Sequence, residues 1–220
     1  MNPTTLISIG GNIGSGKSTL IQSLTETAGI SHTIQKNWTI LSEPVERWGP
    51  WLKLFYDDMV KHAFGFQMKV MYEYMFVRPL NKKKNVITER SPMDSVFVFG
   101  NQLYEKGVLQ EHEYVLLKQF YQEIGWRPHI YIYISSDPQI CFNRIAERKR
   151  QCESDISLEY LIELNRQYDN FVKSLQNVPI DMKVFVVDGN KTKEELFSEV
   201  MSIIANTSPL STTNFSPFDS

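Results

Sequence analysis

Gly11-Asn12-Ile13-Gly14-Ser15-Gly16-Lys17-Ser18 follows directly on the apolar run Leu6-Ile7-Ser8-Ile9, and the pair decides the fold. Glycines let a backbone bend around an anion with its N–H groups turned inward, and a helix opening at Lys17 adds the positive end of its dipole. The pattern G-x-x-x-x-G-K-S between a strand and a helix is a phosphate loop. Lys17 is expected to reach the β- and γ-phosphates of a nucleoside triphosphate, with the Ser18 hydroxyl facing Mg²⁺. Leu20, Ile21 and Leu24 then recur on one face, as a helix lying on a sheet requires. The donor phosphates are assigned to the stretch from Gly11 through Thr19.

Further strand-like runs stand at Thr39–Leu41, Val86–Thr88, Ile130–Ile134 and Val184–Val187, with helical patterns between them. Strands separated by helices imply an α/β domain whose five-stranded, mostly parallel sheet is covered on both faces. Ligands of such sheets bind at the carboxyl ends of the strands. The polar residues with chemical potential follow those ends: Glu43 after the second run, Glu89 and Arg90 after the third, Asp188 after the fifth. Trp51 to Leu80 reads as one helical segment, and Pro92 to Ile124 as another interrupted near Gly107. No internal repeat or interdomain linker is visible, so residues 1–205 are expected to form one domain, followed by a Ser-, Thr-, Asn- and Pro-rich mobile tail at 206–220.

Composition excludes several classes. The 23 basic and 25 acidic residues give a net charge of -2, which does not suggest a nucleic-acid or membrane-surface binder. Lys82-Lys83-Lys84, the longest run of like charge, reads as a solvated turn. Cys141 and Cys152 are poor material for a disulfide framework, and neither has a metal-ligand spacing with a histidine. The start leaves no room for a signal peptide before the first strand, and no apolar run approaches the ~20 residues of a membrane span, so a cytoplasmic protein is expected. Neither an N-K-x-D nor a D-x-x-G motif accompanies the phosphate loop, which argues against a GTPase switch.

The order Glu43-Pro44-Val45 with Trp48, then Tyr56, Gln67 and Glu89-Arg90-Ser91, resembles the deoxynucleoside kinase family that includes mitochondrial thymidine kinase and deoxycytidine kinase. Arg144-Ile145-Ala146-Glu147-Arg148-Lys149-Arg150 is similar to that family's arginine-rich lid. The resemblance covers roughly residues 5 to 190 and implies a P-loop kinase fold using ATP and Mg²⁺. It also implies transfer to the 5'-hydroxyl of a deoxynucleoside, and it makes a homodimer plausible through the two long mid-chain helical segments.

Residue by residue, the resemblance makes Glu43 the base that accepts the proton of the 5'-hydroxyl, a poor nucleophile at neutral pH. Arg90 orients that base, and Glu89 joins Ser18 as a Mg²⁺ ligand. Gln67 faces the base, where a side-chain amide offers a donor and an acceptor side by side. Trp48, Phe66 and Phe99 line the base slot, together with Val70, Tyr74 and Ser95. Tyr56 and Glu153 hold the 3'-hydroxyl. The family commonly ends its lid in two adjacent acidic residues, whereas this chain has Cys152-Glu153. Arg144, Arg148 and Arg150 form a cationic clamp on the transferring phosphoryl group, with Arg144 stacking on the donor adenine and Asp188 close by.

Relatives that favour purines or deoxycytidine commonly carry an Arg where this chain has Tyr74 and an Asp where it has Ser95. Their absence points to thymidine, with deoxycytidine also accepted; Asp94, turned inward by a change of helix phase, would reopen purines. A thymidylate or other monophosphate kinase is the alternative, but Glu43 would repel its dianionic acceptor. A regulatory NTP-binding protein without turnover is the reading from another class.

Overall fold

The computed structural model describes residues 4–30, 38–77, 85–148, 156–177 and 181–206. Five strands, β1 (Leu6–Gly11), β2 (Trp38–Leu41), β3 (Asn85–Glu89), β4 (Ile130–Ser135) and β5 (Lys183–Asp188), form one parallel sheet in the order β2-β3-β1-β4-β5. The helices are α1 (Lys17–Ile30), α2 (Val45–Asp57), α3 (Met59–Val77), α4 (Pro92–Asp94), α5 (Asn101–Glu105), α6 (Glu111–Ile124), α7 (Pro138–Arg148), α8 (Leu158–Asn177) and α9 (Lys193–Ala205). A π-helical stretch, Ser95–Gly100, joins α4 to α5.

Alternation along β4 shows how the sheet is anchored. Ile130, Ile132 and Ile134 turn to one face and meet Leu20, Ile21 and Leu24 of α1 and Val200 and Ile204 of α9. Tyr131 and Tyr133 turn to the other and meet Leu164 and Tyr168 of α8. Each fully buried aliphatic side chain contributes roughly 1.5–3 kcal/mol. The inner strands β1 and β4 are apolar on both faces because helices cover both; the edges β2 and β5 are only partly covered. From the central β1 the chain passes to β2 and β3 on one side and to β4 and β5 on the other. The crevice at its carboxyl end, where the phosphate loop begins, is therefore the switch point where α/β sheets bind ligands.

The single helical segment expected from Trp51 to Leu80 is instead two helices. The first starts earlier, at Val45, and takes Gly49 and Pro50 into its body. It ends at Asp58, whose backbone is extended at φ -152° and whose Oδ1 accepts from the N–H of Lys61, so that this aspartate caps α3. Asp beside the break satisfies a helix-end donor that would otherwise be unpaired. The interruption after α5 is at Gly107, with φ +68°. The Lys82–Lys84 run, Cys152 and the tail beyond residue 206 lie outside the described residues.

Candidate active site

A cleft of about 1480 Å³ runs from the phosphate loop, past the ends of β2 and β3, to aromatic side chains of α2 and α3. Its donor end is the loop itself. Gly14 has φ +79°, and a side chain there would stand 2.5 Å from the Cys141 carbonyl oxygen, so glycine serves both the backbone turn and the close approach of α7. Asn12 is fully buried and braces the loop from behind: its amide donates to the Leu161 carbonyl, and its oxygen accepts from the Ile13 N–H. Lys17 curls over the loop and donates to the Asn12 carbonyl at 2.6 Å. Burial and the neighbouring Arg90 hold its ammonium pKa down to about 7. The negative charge of a polyphosphate in the loop would therefore both attract the side chain and favour its protonated form. Thr19 also lines the cleft.

Ser18 Oγ donates to Glu89 Oε1 at 2.6 Å, and Glu89 Oε2 accepts from the backbone N–H of Glu43 at 3.2 Å. A hydroxyl and a carboxylate on facing elements make a hard oxygen donor pair, which suits Mg²⁺, an ion that takes one or two protein ligands and fills the remainder with phosphate and water. The Glu43 carboxylate itself is held by Arg90, whose Nη1 donates to Oε2. Burial raises the Glu43 pKa above its ordinary value of 4.5, and Arg90 opposes that rise. A raised carboxyl poised beside a cation in a cleft is suited to proton transfer.

Toward the other end, Gln67 is buried on α3 and accepts a hydrogen bond from Ser95 Oγ at 2.8 Å. Ser95 and Phe99 both reach the cleft from the π-helical stretch, an irregularity that commonly re-aims side chains at functional sites. Trp48, Phe66, Val70 and Tyr74 complete this slot, with the Trp48 and Tyr74 rings 6.2 Å apart. Tyr56 lines the cleft between slot and loop. Asp94 does not face the base slot: it is buried, with Tyr131 and Ser91 on its carboxylate.

Arg144 and Arg148 line the donor end from α7, and Arg144 Nη1 donates to the Gly189 carbonyl at 3.0 Å. Asp188 is exposed and accepts from the Asn190 N–H, closing its own turn; Gly189 and Lys191, not Asp188, border the cleft. Gly11 stands behind the cleft and offers its carbonyl to Arg90 Nη2 at 3.4 Å. Arg150 and Glu153 lie outside the described residues.

Residues 7–208 match the model of the deoxynucleoside kinase family. The chain belongs to that family. It is 33% identical over 202 residues to kinase protein 029R of Invertebrate iridescent virus 3, covering 91% of this chain and 96% of the other. It is 29% identical over 208 residues to the thymidine kinase of Ictalurid herpesvirus 1, covering 90% and 85% respectively. Among solved structures, deoxyadenosine kinase from M. mycoides with dCTP bound superimposes at a TM-score of 0.77 and 25% identity, covering 92% of this chain and all of that one.

In this kinase the cleft is also lined by residues that the motifs did not single out. Tyr160 lines the cleft, with burial pushing its phenol pKa up to about 12. Lys191 and Lys193 flank the donor end. No spacing in the sequence marks Tyr160; the lysines follow the last strand end, and that position was their signal. Among the described residues no helix is long and apolar enough to cross a membrane.

Proposed function

We propose that this deoxynucleoside kinase transfers the γ-phosphoryl group of ATP to the 5'-hydroxyl of pyrimidine deoxynucleosides, thymidine first and deoxycytidine second. The observation that carries the reading is a raised carboxyl, Glu43, held by Arg90 while its backbone N–H donates to Glu89, in the same cleft as the phosphate loop and the buried amide of Gln67. Glu43 accepts the 5'-hydroxyl proton as the oxygen attacks. Lys17, Arg144 and Arg148 offset the charge on the transferring phosphoryl oxygens, a contribution that positioned cations make most strongly away from bulk water. Mg²⁺ held by Ser18 and Glu89 would neutralise charge on the donor phosphates.

Base preference follows from the far end. Thymine presents a ring N–H beside a carbonyl, and cytosine a ring nitrogen beside an amino group; the Gln67 amide turned one way or the other matches either edge. A serine hydroxyl can donate to the amide oxygen or accept from its nitrogen, so Ser95 supports both orientations. Tyr74 and Trp48 line this end of the cleft, and the Asp94 carboxylate has no lone pair left for a purine. By family resemblance Tyr56 holds the 3'-hydroxyl together with Glu153, and Arg150 joins the clamp. The enzyme is assigned to the cytoplasm and to a homodimer, and the pairing is favoured by Tyr72 and Met75 of α3 and Val115 and Leu116 of α6, apolar side chains exposed on two helices that pack together.

Initial rates of ATP-dependent phosphorylation of the four deoxynucleosides and of thymidine monophosphate test this. Highest kcat/KM for thymidine, deoxycytidine next and no turnover of the monophosphate is the expected result. A purine nucleoside preferred over both pyrimidines would overturn the base assignment, and preference for the monophosphate would overturn the acceptor.

A further inference from the structure

Behind the Glu43–Arg90 pair lies a buried hydrogen-bonded group that takes no part in the chemistry above. Arg90 sits at φ +59°, a left-handed conformation costly for a side-chain-bearing residue. Its guanidinium spends each nitrogen on a different partner: Nη1 on Glu43, Nη2 on the Gly11 carbonyl, and Nε on the hydroxyl of Tyr168 at 3.2 Å. That hydroxyl lies 3.2 Å from Asp94 Oδ1, which also accepts from the Tyr131 hydroxyl at 2.6 Å. Asp94 Oδ2 accepts from the Ser91 N–H and hydroxyl. Asp94, Tyr131 and Tyr168 are all fully buried.

The direction of this chain is fixed by what each group can do. Arginine only donates, so Tyr168 must accept from Nε and give its own proton to Asp94. A hydroxyl that donates to a carboxylate becomes a better acceptor, which tightens its hold on Nε. Four hydrogen bonds use the lone pairs of the Asp94 carboxylate, leaving none for a ligand. The group also sits hard against β1: a side chain at Gly10 would come within 1.8 Å of the Tyr131 oxygen and 2.8 Å of Asp94 Oδ1.

We propose that Asp94 and Tyr168 are positioning residues for phosphoryl transfer: they fix the third nitrogen of Arg90, and thereby the angle at which Arg90 presents Glu43 to the nucleoside hydroxyl. The inference rests on the reading of Glu43 and Arg90 as the acceptor-side pair. It also separates the two tyrosines on Asp94, because only Tyr168 touches Arg90. Burial and the nearby Asp94 carry the Tyr168 pKa well above its ordinary value, so the hydroxyl keeps the proton this direction requires.

The test is kcat and KM for thymidine at saturating ATP, with melting temperature, in Tyr168→Phe, Tyr131→Phe, Arg90→Lys and the Tyr168→Phe/Arg90→Lys double variant. Tyr168→Phe is expected to lose about 10-fold in kcat with KM for thymidine within about 2-fold of wild type. Tyr131→Phe, which removes an equally buried hydroxyl from the same carboxylate, should melt lower yet keep kcat within about 2-fold. In the Arg90→Lys background, with no Nε to hold, Tyr168→Phe should cost no more than about 2-fold further. Wild-type kcat in Tyr168→Phe, equal kcat losses in the two tyrosine variants, or a full additional loss in the double variant would each overturn the proposal. Should Tyr168→Phe not fold, Asp94→Asn is read against the same expectations, since an amide cannot accept all four bonds. Arg90→Lys with undiminished kcat would bring down the acceptor-side reading itself, whereas a loss there without one in Tyr168→Phe would bring down the positioning role alone.

Discussion

Ser95 shows how one hydroxyl sets what a binding residue can do. Gln67 is buried, and its amide oxygen is occupied by Ser95 Oγ at 2.8 Å. Ser95→Ala leaves that amide short of a partner, and a lost hydrogen bond of this kind costs about 1 kcal/mol. KM for thymidine and deoxycytidine should both rise about 5-fold, with kcat little changed; steady-state kinetics on the two substrates checks it, and a rise for one alone would show that Ser95 favours a single orientation of the amide. Residues of this kind were legible because they fall in short ordered motifs: Glu43 and Arg90 follow strand ends, where ligands of parallel sheets bind. The Asp94, Tyr131 and Tyr168 group was not. Tyr168 and Tyr131 stand 74 and 37 positions from Asp94, and only the folded sheet brings three unremarkable side chains to one point. The sequence left Asp94 open as a purine contact, and its saturated carboxylate closes that option.

Helices α2 and α3 carry Trp48 and Gln67 to the cleft, and Glu73 ties them together. Its carboxylate receives Lys69 from one turn earlier on α3 and Arg47 from α2 at 3.3 Å. Burial alone would raise its pKa, but the hydrogen bonds from Lys69 and Arg47 outweigh that and hold it below the ordinary 4.5. A carboxyl depressed in the folded state stabilises the fold above its unfolded pKa, and that contribution disappears as pH falls through the folded value. The melting-temperature gap between wild type and Glu73→Gln should therefore be full at neutral pH and close below about pH 4.5. A gap independent of pH would mean the charge contributes nothing. Gly49 offers a second test at this scale: it lies inside α2, and apart from the adjoining backbone of its own helix no described atom stands within 4 Å of where a Cβ would be. Gly49→Ala should raise stability by about 0.5–1 kcal/mol in urea titrations, and a loss would show that α2 needs its glycine. Strands were easier to read than these helices. Central strands are continuous apolar runs, but nothing apolar or proline-like marks Asp58, where a capping carboxylate divides the helical pattern in two.

On the scale of the whole molecule, the sheet order brings the phosphate loop, the Ser18–Glu89 pair and the Glu43–Arg90 pair to one crevice, while α3 and α6 carry apolar side chains away from it. If two copies pair through those helices, the wild type should run at twice the monomer mass in light scattering, and a Tyr72→Glu/Leu116→Glu variant at the monomer mass with its fold retained. A wild-type monomer at working concentration would remove the pairing. The central claim is narrower: the Glu43 carboxylate held by Arg90 takes the proton from the acceptor hydroxyl. It is tested most directly by the rate of phosphoryl transfer from ATP to thymidine in Glu43→Gln, a change that preserves shape and removes the base. The account predicts a kcat loss of about 100-fold or more with thymidine still bound; a kcat within a few-fold of wild type would contradict it.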